Sequence, residues 1–433
     1  MFHNIKKRIA ACKHESKKNA GFTLIINAKQ LICFERTHLK PSSYIPSLTG
    51  IRAIAAFLVF FHHFNQADYP YSIFRVLNEL HIGVTIFFVL SGFLICFRYY
   101  HHVAISGSWF RKYIKNRIAR IYPMYALLTI ATFVYAYVSG NDSVYHDFEP
   151  KSVLIGMNLL FVRGFFDDLK FTGVGQGWSL TVEECFYLSA PFFFVLLKRW
   201  RGYWWLLPLC IVGFGIALVA FFSQFNWWGF YGNYRFMFLY TFTGRCIEFF
   251  VGMALAKVLL DWPLPKRLGT CGFTLLGALG ILLCIGLLSL LPINSSIPFG
   301  LHQPAGIAIN NVLLPLAICV LFYGLITEAS HFQQLLATPF MQILGKSSYI
   351  FYLLHIGFLA TMSHDWLLLV QEQILDVLSN NDYPEWISLI VGNATLAIVL
   401  VFVWLNICSY LLWRFIEEPM NHYIRKLTFK TAK

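Results

Sequence analysis

The chain has 433 residues, of which 58% are hydrophobic and only 13% are charged, and its mean hydropathy is +0.60. Soluble domains carry about a quarter charged residues, so this composition excludes an ordinary soluble protein. The formal net charge of +13 would fit nucleic-acid binding, but the basic residues cluster in alternate loops. The positive-inside rule of membrane proteins accounts for that pattern, and we expect no nucleic-acid partner.

Apolar stretches near 20 residues recur along the chain, which predicts an all-α polytopic membrane bundle of about ten transmembrane helices. With both termini in the cytoplasm, 28 of the 34 Lys and Arg residues fall on the cytoplasmic side. The apolar segment 152–166 is short and interrupted, so we expect it to be re-entrant or interfacial. The ten predicted spans are 48–66, 80–98, 119–138, 178–198, 203–222, 236–258, 269–291, 305–326, 343–362 and 386–411.

The same pattern predicts three regions of the chain. Residues 1–43 form a basic cytoplasmic extension, 44–424 the membrane domain and 425–433 a cytoplasmic tail. The ten cysteines contain no CxxC pair, so we expect neither structural zinc nor extracellular disulfides.

The first span carries the most informative pair of residues, Arg52 and His63. Eleven steps make roughly three helical turns, so both side chains share a face about 16 Å apart along the axis. Ionisable groups inside a membrane are functional candidates by default. His62 lies about 100° around the helix, so the two histidines are not expected to do the same job.

Basic residues also crowd the cytoplasmic mouth before the third span. Arg117 and Arg120 are three residues apart and face the same way on a helix. Their guanidinium forks suit phosphate oxygens. The alternative interpretation is positive-inside anchoring with contacts to anionic lipids.

Other spans contain polar residues with two interpretations each. Ser91 and its neighbouring glycine offer a hydroxyl or close helix packing. Glu183 and Glu184 lie deep for residues that only favour a helix N-terminus, and at most one of them faces a given site. His355 is a candidate for chemistry or for a helix–helix hydrogen bond.

Elsewhere, Arg245 and Glu248 are spaced to neutralise each other inside the bilayer. No metal motif of the HExxH type, no P-loop and no GxSxG sequence occurs in the chain.

Together these motifs resemble the acyltransferase-3 family of bacterial integral-membrane O-acyltransferases, over roughly residues 44–424. The resemblance rests on Leu48-x-Gly50-x-Arg52-Ala53 with His63, Phe87-Phe88-x-x-Ser91-Gly92-Phe93, Arg117-x-x-Arg120-Ile121-x-Pro123, Trp178-Ser179-Leu180-x-x-Glu183-Glu184-x-Phe186-Tyr187, Glu248-Phe249-x-x-Gly252-Met253 and Gly345-Lys346-x-Ser348-Tyr349-x-x-Tyr352-x-x-His355.

The resemblance implies transfer of an acyl group from a cytoplasmic acyl-CoA to a hydroxyl on a periplasmic or surface glycan. We expect the group to be acetyl, with acetyl-CoA as donor, and succinyl is the alternative. It places the protein in the bacterial inner membrane, with a lipopolysaccharide O-antigen or a lipid-linked glycan among the acceptors. Arg52, Arg117, Arg120 and Ser91 would then bind the donor, and the catalytic candidates are His63, Arg52, Glu183, Glu184 and His355.

The proposed role of His63 has a physical basis. An imidazole buried among apolar residues is kept uncharged, which suits a general base. It can also accept the acyl group itself, and the sequence leaves both routes open. A carrier or exporter of an anionic solute is the alternative function, although the paired halves typical of transporters are not found. A scaffold or sensor with a degenerate site is a third hypothesis.

Overall fold

The structure is a computed structural model that describes residues 44–65, 69–104, 106–145, 147–200, 202, 204–262, 271–295, 297–379 and 393–427. The predicted extension at 1–43 and most of the predicted tail lie outside these residues. The helices are α1 (Pro46–His63), α2 (Tyr71–Asn78), α3 (Gly83–Tyr99), α4 (Gly107–Ser139), α5 (Lys151–Leu159), α6 (Gly177–Arg199), α7 (Leu206–Phe222), α8 (Tyr234–Tyr240), α9 (Phe242–Asp261), α10 (Gly272–Leu290), α11 (Pro304–Thr327), α12 (His331–Leu336), α13 (Pro339–Leu354), α14 (Phe358–Ser379), α15 (Ala394–Leu412) and α16 (Glu418–Lys426).

The predicted all-α polytopic architecture is confirmed. In the described part of the chain, six helices or continuous helical stretches are long and apolar enough to cross a membrane. The pair α13 and α14 is bent by 84° and makes a seventh if it counts as one span. Every predicted span has a helical counterpart, but the predicted span 236–258 is divided at Thr241, which has extended backbone between α8 and α9. Helix α7 has only 17 residues, and α1 and α9 carry ionisable side chains.

The third span begins earlier than predicted. Helix α4 starts at Gly107, where the Ser106 hydroxyl caps it by accepting a hydrogen bond from the Trp109 backbone N–H. Lysine and arginine are good helix formers, so the helix continues through the basic segment. Arg117 and Arg120 therefore lie well inside one long helix rather than at its entrance.

The predicted continuous span at 343–362 is wrong. Helix α13 ends at Leu354, His355 is its C-cap, and the chain turns before α14 begins. The turn includes Gly357 at φ 150°, a conformation that side chains of L-residues rarely adopt. The break places His355 at a helix end rather than in the middle of a membrane helix.

Close helix packing holds the centre of the bundle together. Helices α3 and α9 approach so closely that a Cβ on Gly92 would overlap the backbone carbonyl of Phe249. A Cβ on Gly252 would overlap the carbonyl of Val89 in the same way. Small residues are what allow such approach between membrane helices. Helix α1 packs against both α3 and α13, so one face of α1 lies between these two helices.

The segment 152–166, which the sequence predicted not to be a membrane span, does not form one continuous helix. Helix α5 is followed by Phe161 in the left-handed region at φ 59° and by a single 3-10 turn. This turn contains Arg163, which is fully buried and donates hydrogen bonds to the carbonyls of Lys170, Thr172 and Val174. The buried guanidinium thereby fixes the loop that leads into α6.

Candidate active site

A first cavity, here called the arginine cavity, lies between α1, α3, α4, α6 and α13 and has an empty volume of about 950 Å³. Four guanidinium groups line it, those of Arg52, Arg98, Arg117 and Arg120. Three of these were candidates from the sequence. The fourth, Arg98, lies outside the motifs quoted above, so the sequence did not mark it as a site residue.

Two of these arginines carry unused hydrogen-bond donors. Arg117 is buried, and its guanidinium stacks on Tyr99 and Tyr187 with 5.9 and 5.8 Å to the ring centroids. The Nε groups of Arg52 and Arg117 are buried without a partner among the described residues. An unpaired buried donor costs free energy, which a bound anion would recover. The cavity therefore suits a ligand with phosphate groups.

One carboxylate faces the same cavity. Glu183 accepts hydrogen bonds from the Ser91 hydroxyl at 2.5 Å and from the Tyr187 hydroxyl at 3.2 Å. Glu184 lines neither this cavity nor the next one. Helical geometry explains the difference, because adjacent residues diverge by about 100°. The structure thus brings Ser91 and Glu183 together with the arginines and leaves Glu184 outside.

A second cavity, here called the histidine cavity, has an empty volume of about 1070 Å³. His63 is exposed to it, and its ring centroid lies 5.3 Å from that of His355. The wall also contains polar and aromatic side chains from α6, α8, α9 and the loop before α11, namely Gln176, Trp178, Tyr240, Arg245 and His302. Within the described residues no group of His, Cys, Asp and Glu side chains is arranged to hold a metal ion.

His62 and His63 both line the histidine cavity, and their rings meet edge-on at 4.6 Å between centroids. The His62 ring also packs against His81 and Phe299 at 5.5 and 5.4 Å, whereas the His63 ring lies near His355. The 100° divergence therefore gives the two rings different further neighbours within one cavity.

The ring of His355 has a defined hydrogen-bonding state. Its Nδ1 lies 2.7 Å from the Tyr352 carbonyl, so Nδ1 carries the proton and donates it to that oxygen. Nε2 is left as the acceptor, buried and without a partner among the described residues. The Gln176 amide supports this corner by donating to the Ile356 carbonyl at 2.9 Å. His355 therefore keeps an unpaired basic nitrogen in a buried ring that lies 5.3 Å, between centroids, from His63 but lines neither cavity.

The two cavities adjoin inside the bundle and share part of their walls. Val84 and Tyr352 line both of them. The Tyr352 hydroxyl is hydrogen-bonded to Ser179 on α6 at 2.9 Å, which fixes the ring at the junction. On α1, Arg52 lines the arginine cavity and His63 lines the histidine cavity. The pair singled out in the sequence thus connects two adjoining chambers along one helix.

A buried network of hydrogen bonds holds Arg245 in the wall of the histidine cavity. Arg245 donates to both carboxylate oxygens of Glu248, at 2.6 and 3.2 Å, and also to the Thr85 hydroxyl at 3.0 Å. The Thr85 hydroxyl donates a hydrogen bond to the Asn310 side chain, whose amide donates to Asn311. Both asparagines lie in a π-helical turn of α11. The sequence predicted the ion pair, but not the asparagines, which lie in an apolar segment without a motif.

Comparison with known proteins places the chain among acyltransferases. A family model described as an acyltransferase domain matches residues 45–414. Acyltransferase MdmB of Streptomyces mycarofaciens is 28% identical over 188 residues, which cover 41% of this chain and 45% of that protein. Peptidoglycan O-acetyltransferase OatA of Listeria monocytogenes serovar 1/2a is 28% identical over 196 residues, covering 42% of this chain and 29% of OatA.

A third relative, the putative peptidoglycan O-acetyltransferase YrhL of Bacillus subtilis, is 31% identical over 163 residues, covering 35% of this chain and 24% of YrhL. The chain spans less than half the length of each of these curated relatives. No solved structure matches it. The acyltransferase model covers most of the chain, and six helices or continuous helical stretches of the described residues are long and apolar enough to cross a membrane. The protein is therefore a multi-pass membrane protein that belongs to the acyltransferase-3 family.

Proposed function

We propose that the protein is a membrane O-acyltransferase of the bacterial inner membrane that moves an acetyl group from cytoplasmic acetyl-CoA to a hydroxyl of an extracytoplasmic glycan. The single observation that carries the proposal is the junction of the arginine cavity with the histidine cavity at Val84 and Tyr352. A donor with phosphates at one end and a thioester on a long arm matches an arginine-lined entrance that leads to an imidazole.

Donor binding is assigned to the arginine cavity. Arg52, Arg117 and Arg120, with Arg98, would pair with the phosphates of coenzyme A. Ser91 and Glu183 lie deeper along the same wall, where Glu183 holds the Ser91 and Tyr187 hydroxyls in place. Arg52 and His63 are about 16 Å apart along α1, a distance that the flexible arm of the donor would have to cross.

Transfer is assigned to His63. As a general base, it takes the proton of the acceptor hydroxyl while the oxygen attacks the thioester carbonyl carbon. The carbon–sulfur bond breaks, an ester forms, and the thiolate of coenzyme A leaves and takes up a proton. As an acyl carrier, the His63 nitrogen attacks first and releases coenzyme A, and the acceptor hydroxyl then attacks the acyl-imidazole. His355, whose buried Nε2 has no partner among the described residues, would accept the hydroxyl proton in that second step.

The acceptor is a glycan in this proposal because two of the relatives are named as peptidoglycan O-acetyltransferases. Lipopolysaccharide and lipid-linked glycans also present sugar hydroxyls, so they are alternative acceptors of the same chemical class. The experiment compares surface glycans of the wild-type and deletion strains by mass spectrometry, before and after mild alkali. We expect the wild-type glycan to carry a base-labile mass of one acetyl group that the deletion strain lacks.

A second assay addresses the donor and the carrier alternative. Membrane vesicles that contain the protein receive radiolabelled acetyl-CoA and glycan from the deletion strain. We expect label in the glycan and release of one coenzyme A for each ester formed. Movement of a labelled anion across the membrane without consumption of coenzyme A would instead identify a carrier. Release of one equivalent of coenzyme A per enzyme before glycan is added would identify the acyl-histidine route.

A further inference from the structure

A third cavity adjoins the histidine cavity on the predicted extracytoplasmic side. This outer cleft has an empty volume of about 910 Å³ and lies between the loop before α6, helix α8 and the loop before α11. It shares Phe171, Tyr240 and His302 with the histidine cavity. The outer cleft and the histidine cavity therefore adjoin, with these three side chains in the wall that they share.

The charges in the outer cleft are unbalanced. Its carboxylate, Asp167, is already paired, because Lys170 donates to it and the Asn233 amide donates to its second oxygen at 2.7 Å. Burial, together with nearby Arg235 and Lys170, lowers the pKa of His302 to about 4, so this ring is uncharged near neutral pH. The remaining formal charge in the lining is that of Arg235.

Arg235 is exposed and has neither an ion pair nor a hydrogen bond with any described residue. The aromatic residues of the cleft are Phe171, Phe236 and Tyr240, and the Lys170 ammonium lies over their rings, at 4.8, 5.8 and 5.3 Å from the centroids. The Tyr240 ring also meets Phe171 edge-on, at 5.7 Å between centroids. Polar groups beside aromatic rings are a usual composition of a ligand site. The faces of a sugar ring carry C–H bonds and its rim carries hydroxyls, so a sugar matches these walls.

Resting on the proposed acyl transfer, we propose that the outer cleft is the acceptor subsite and that Arg235 binds an anionic group of the acceptor glycan. The group is a carboxylate or a phosphodiester, since both match the guanidinium fork. The reacting hydroxyl lies at His63 while the anionic group lies in the outer cleft. An anionic lipid is the other class of ligand for an exposed arginine. The residues shared with the histidine cavity favour the glycan.

The test uses purified full-length protein in nanodiscs of phosphatidylcholine, with and without an anionic lipid (phosphatidylglycerol), and unacetylated glycan from a deletion strain. One portion of the glycan has its carboxylates capped as methylamides by carbodiimide coupling, and another has its phosphodiesters cleaved with hydrofluoric acid. The wild type is compared with Arg235→Ala, Arg235→Lys and Lys151→Ala. The last variant removes a positive charge from the same side of the protein but from a residue that does not line the cleft.

We expect Arg235→Ala to raise KM for the untreated glycan about tenfold, with kcat changed little, because one charge-assisted pair is lost. Arg235→Lys should restore part of the affinity, and Lys151→Ala should behave as the wild type. For the wild type, capping or cleavage should raise KM by the same factor, and the treatment that does so identifies the group. Arg235→Ala should no longer distinguish treated from untreated glycan.

Three results would overturn the subsite. They are an unchanged KM of the wild type on both treated glycans, an Arg235→Ala variant that still distinguishes them, and a loss that depends on anionic lipid in the nanodisc rather than on the glycan. Binding of the same glycans to the wild type and to Arg235→Ala is also measured without acetyl-CoA. This comparison reports glycan binding separately from acetyl transfer. If the wild type transfers no acetyl group, the proposed function fails, while this binding comparison still decides the subsite.

Discussion

Replacing His63 with alanine is the sharpest test of the assigned chemistry. The variant removes an imidazole that is exposed to the histidine cavity and lies 5.3 Å, between ring centroids, from His355. Because the side chain lines a cavity rather than filling the core, its loss should change the free energy of unfolding by no more than about 0.5 kcal/mol. We therefore expect normal insertion and abundance together with a loss of transfer.

The expected size of that loss follows from the rate enhancement that a general base provides. A positioned general base contributes about 10² to 10⁴ in rate. We expect about 10³, equivalent to about 4 kcal/mol in the activation barrier. If His63 and His355 act as a unit, the double alanine variant should lose at most about tenfold more than His63→Ala alone. His62→Ala should lose less than tenfold, because the His62 ring, although it touches the His63 ring at 4.6 Å between centroids, packs mainly against His81 and Phe299.

The assay measures acetyl ester formed on native glycan per unit of folded protein in membranes, with protein quantified by immunoblot. His331→Ala is the control, since His331 is exposed and lines none of the three cavities. Near-normal activity in His63→Ala, or an equal loss in His62→Ala, would refute the assignment. Either result would move the catalytic role to His355, which a His355→Ala variant would then test.

Three further predictions address the donor site, the packing and the topology. Arg117→Ala and Arg120→Ala should each raise KM for acetyl-CoA about tenfold, and lysine at either position should rescue only in part, because it lacks the fork; unchanged donor kinetics would make both residues membrane anchors. Gly92→Val should lower the amount of folded protein by forcing α3 away from α9, at a cost of about 1–3 kcal/mol, whereas Gly286→Val, where a Cβ meets nothing within 4 Å, should be neutral in a thermal-stability assay. A phosphatase reporter that works only outside the cytoplasm should be silent when fused after Lys433, and activity there would contradict the predicted orientation.

The sequence alone was sufficient for the class of protein, the approximate positions of the helices and the shared face of Arg52 and His63 on α1. These features are local, because apolar length defines a membrane helix and a fixed rotation of about 100° per residue defines which side chains share its face. The same rule anticipated that Glu183 and Glu184 would not both face one site. Motif order along the chain was enough to indicate the family, which the match over residues 45–414 confirms.

Tertiary structure decided how those faces are combined. The packing of α13 against α1 brings His355 beside His63, and the arrangement of four arginines around one cavity includes Arg98, which no motif marks. Such proximities depend on contacts between residues far apart in sequence, for example the close approach of α3 and α9 at Gly92. A helical period carries no information about which neighbour a face will meet. The division into an arginine cavity, a histidine cavity and an outer cleft is therefore a property of the packed bundle alone.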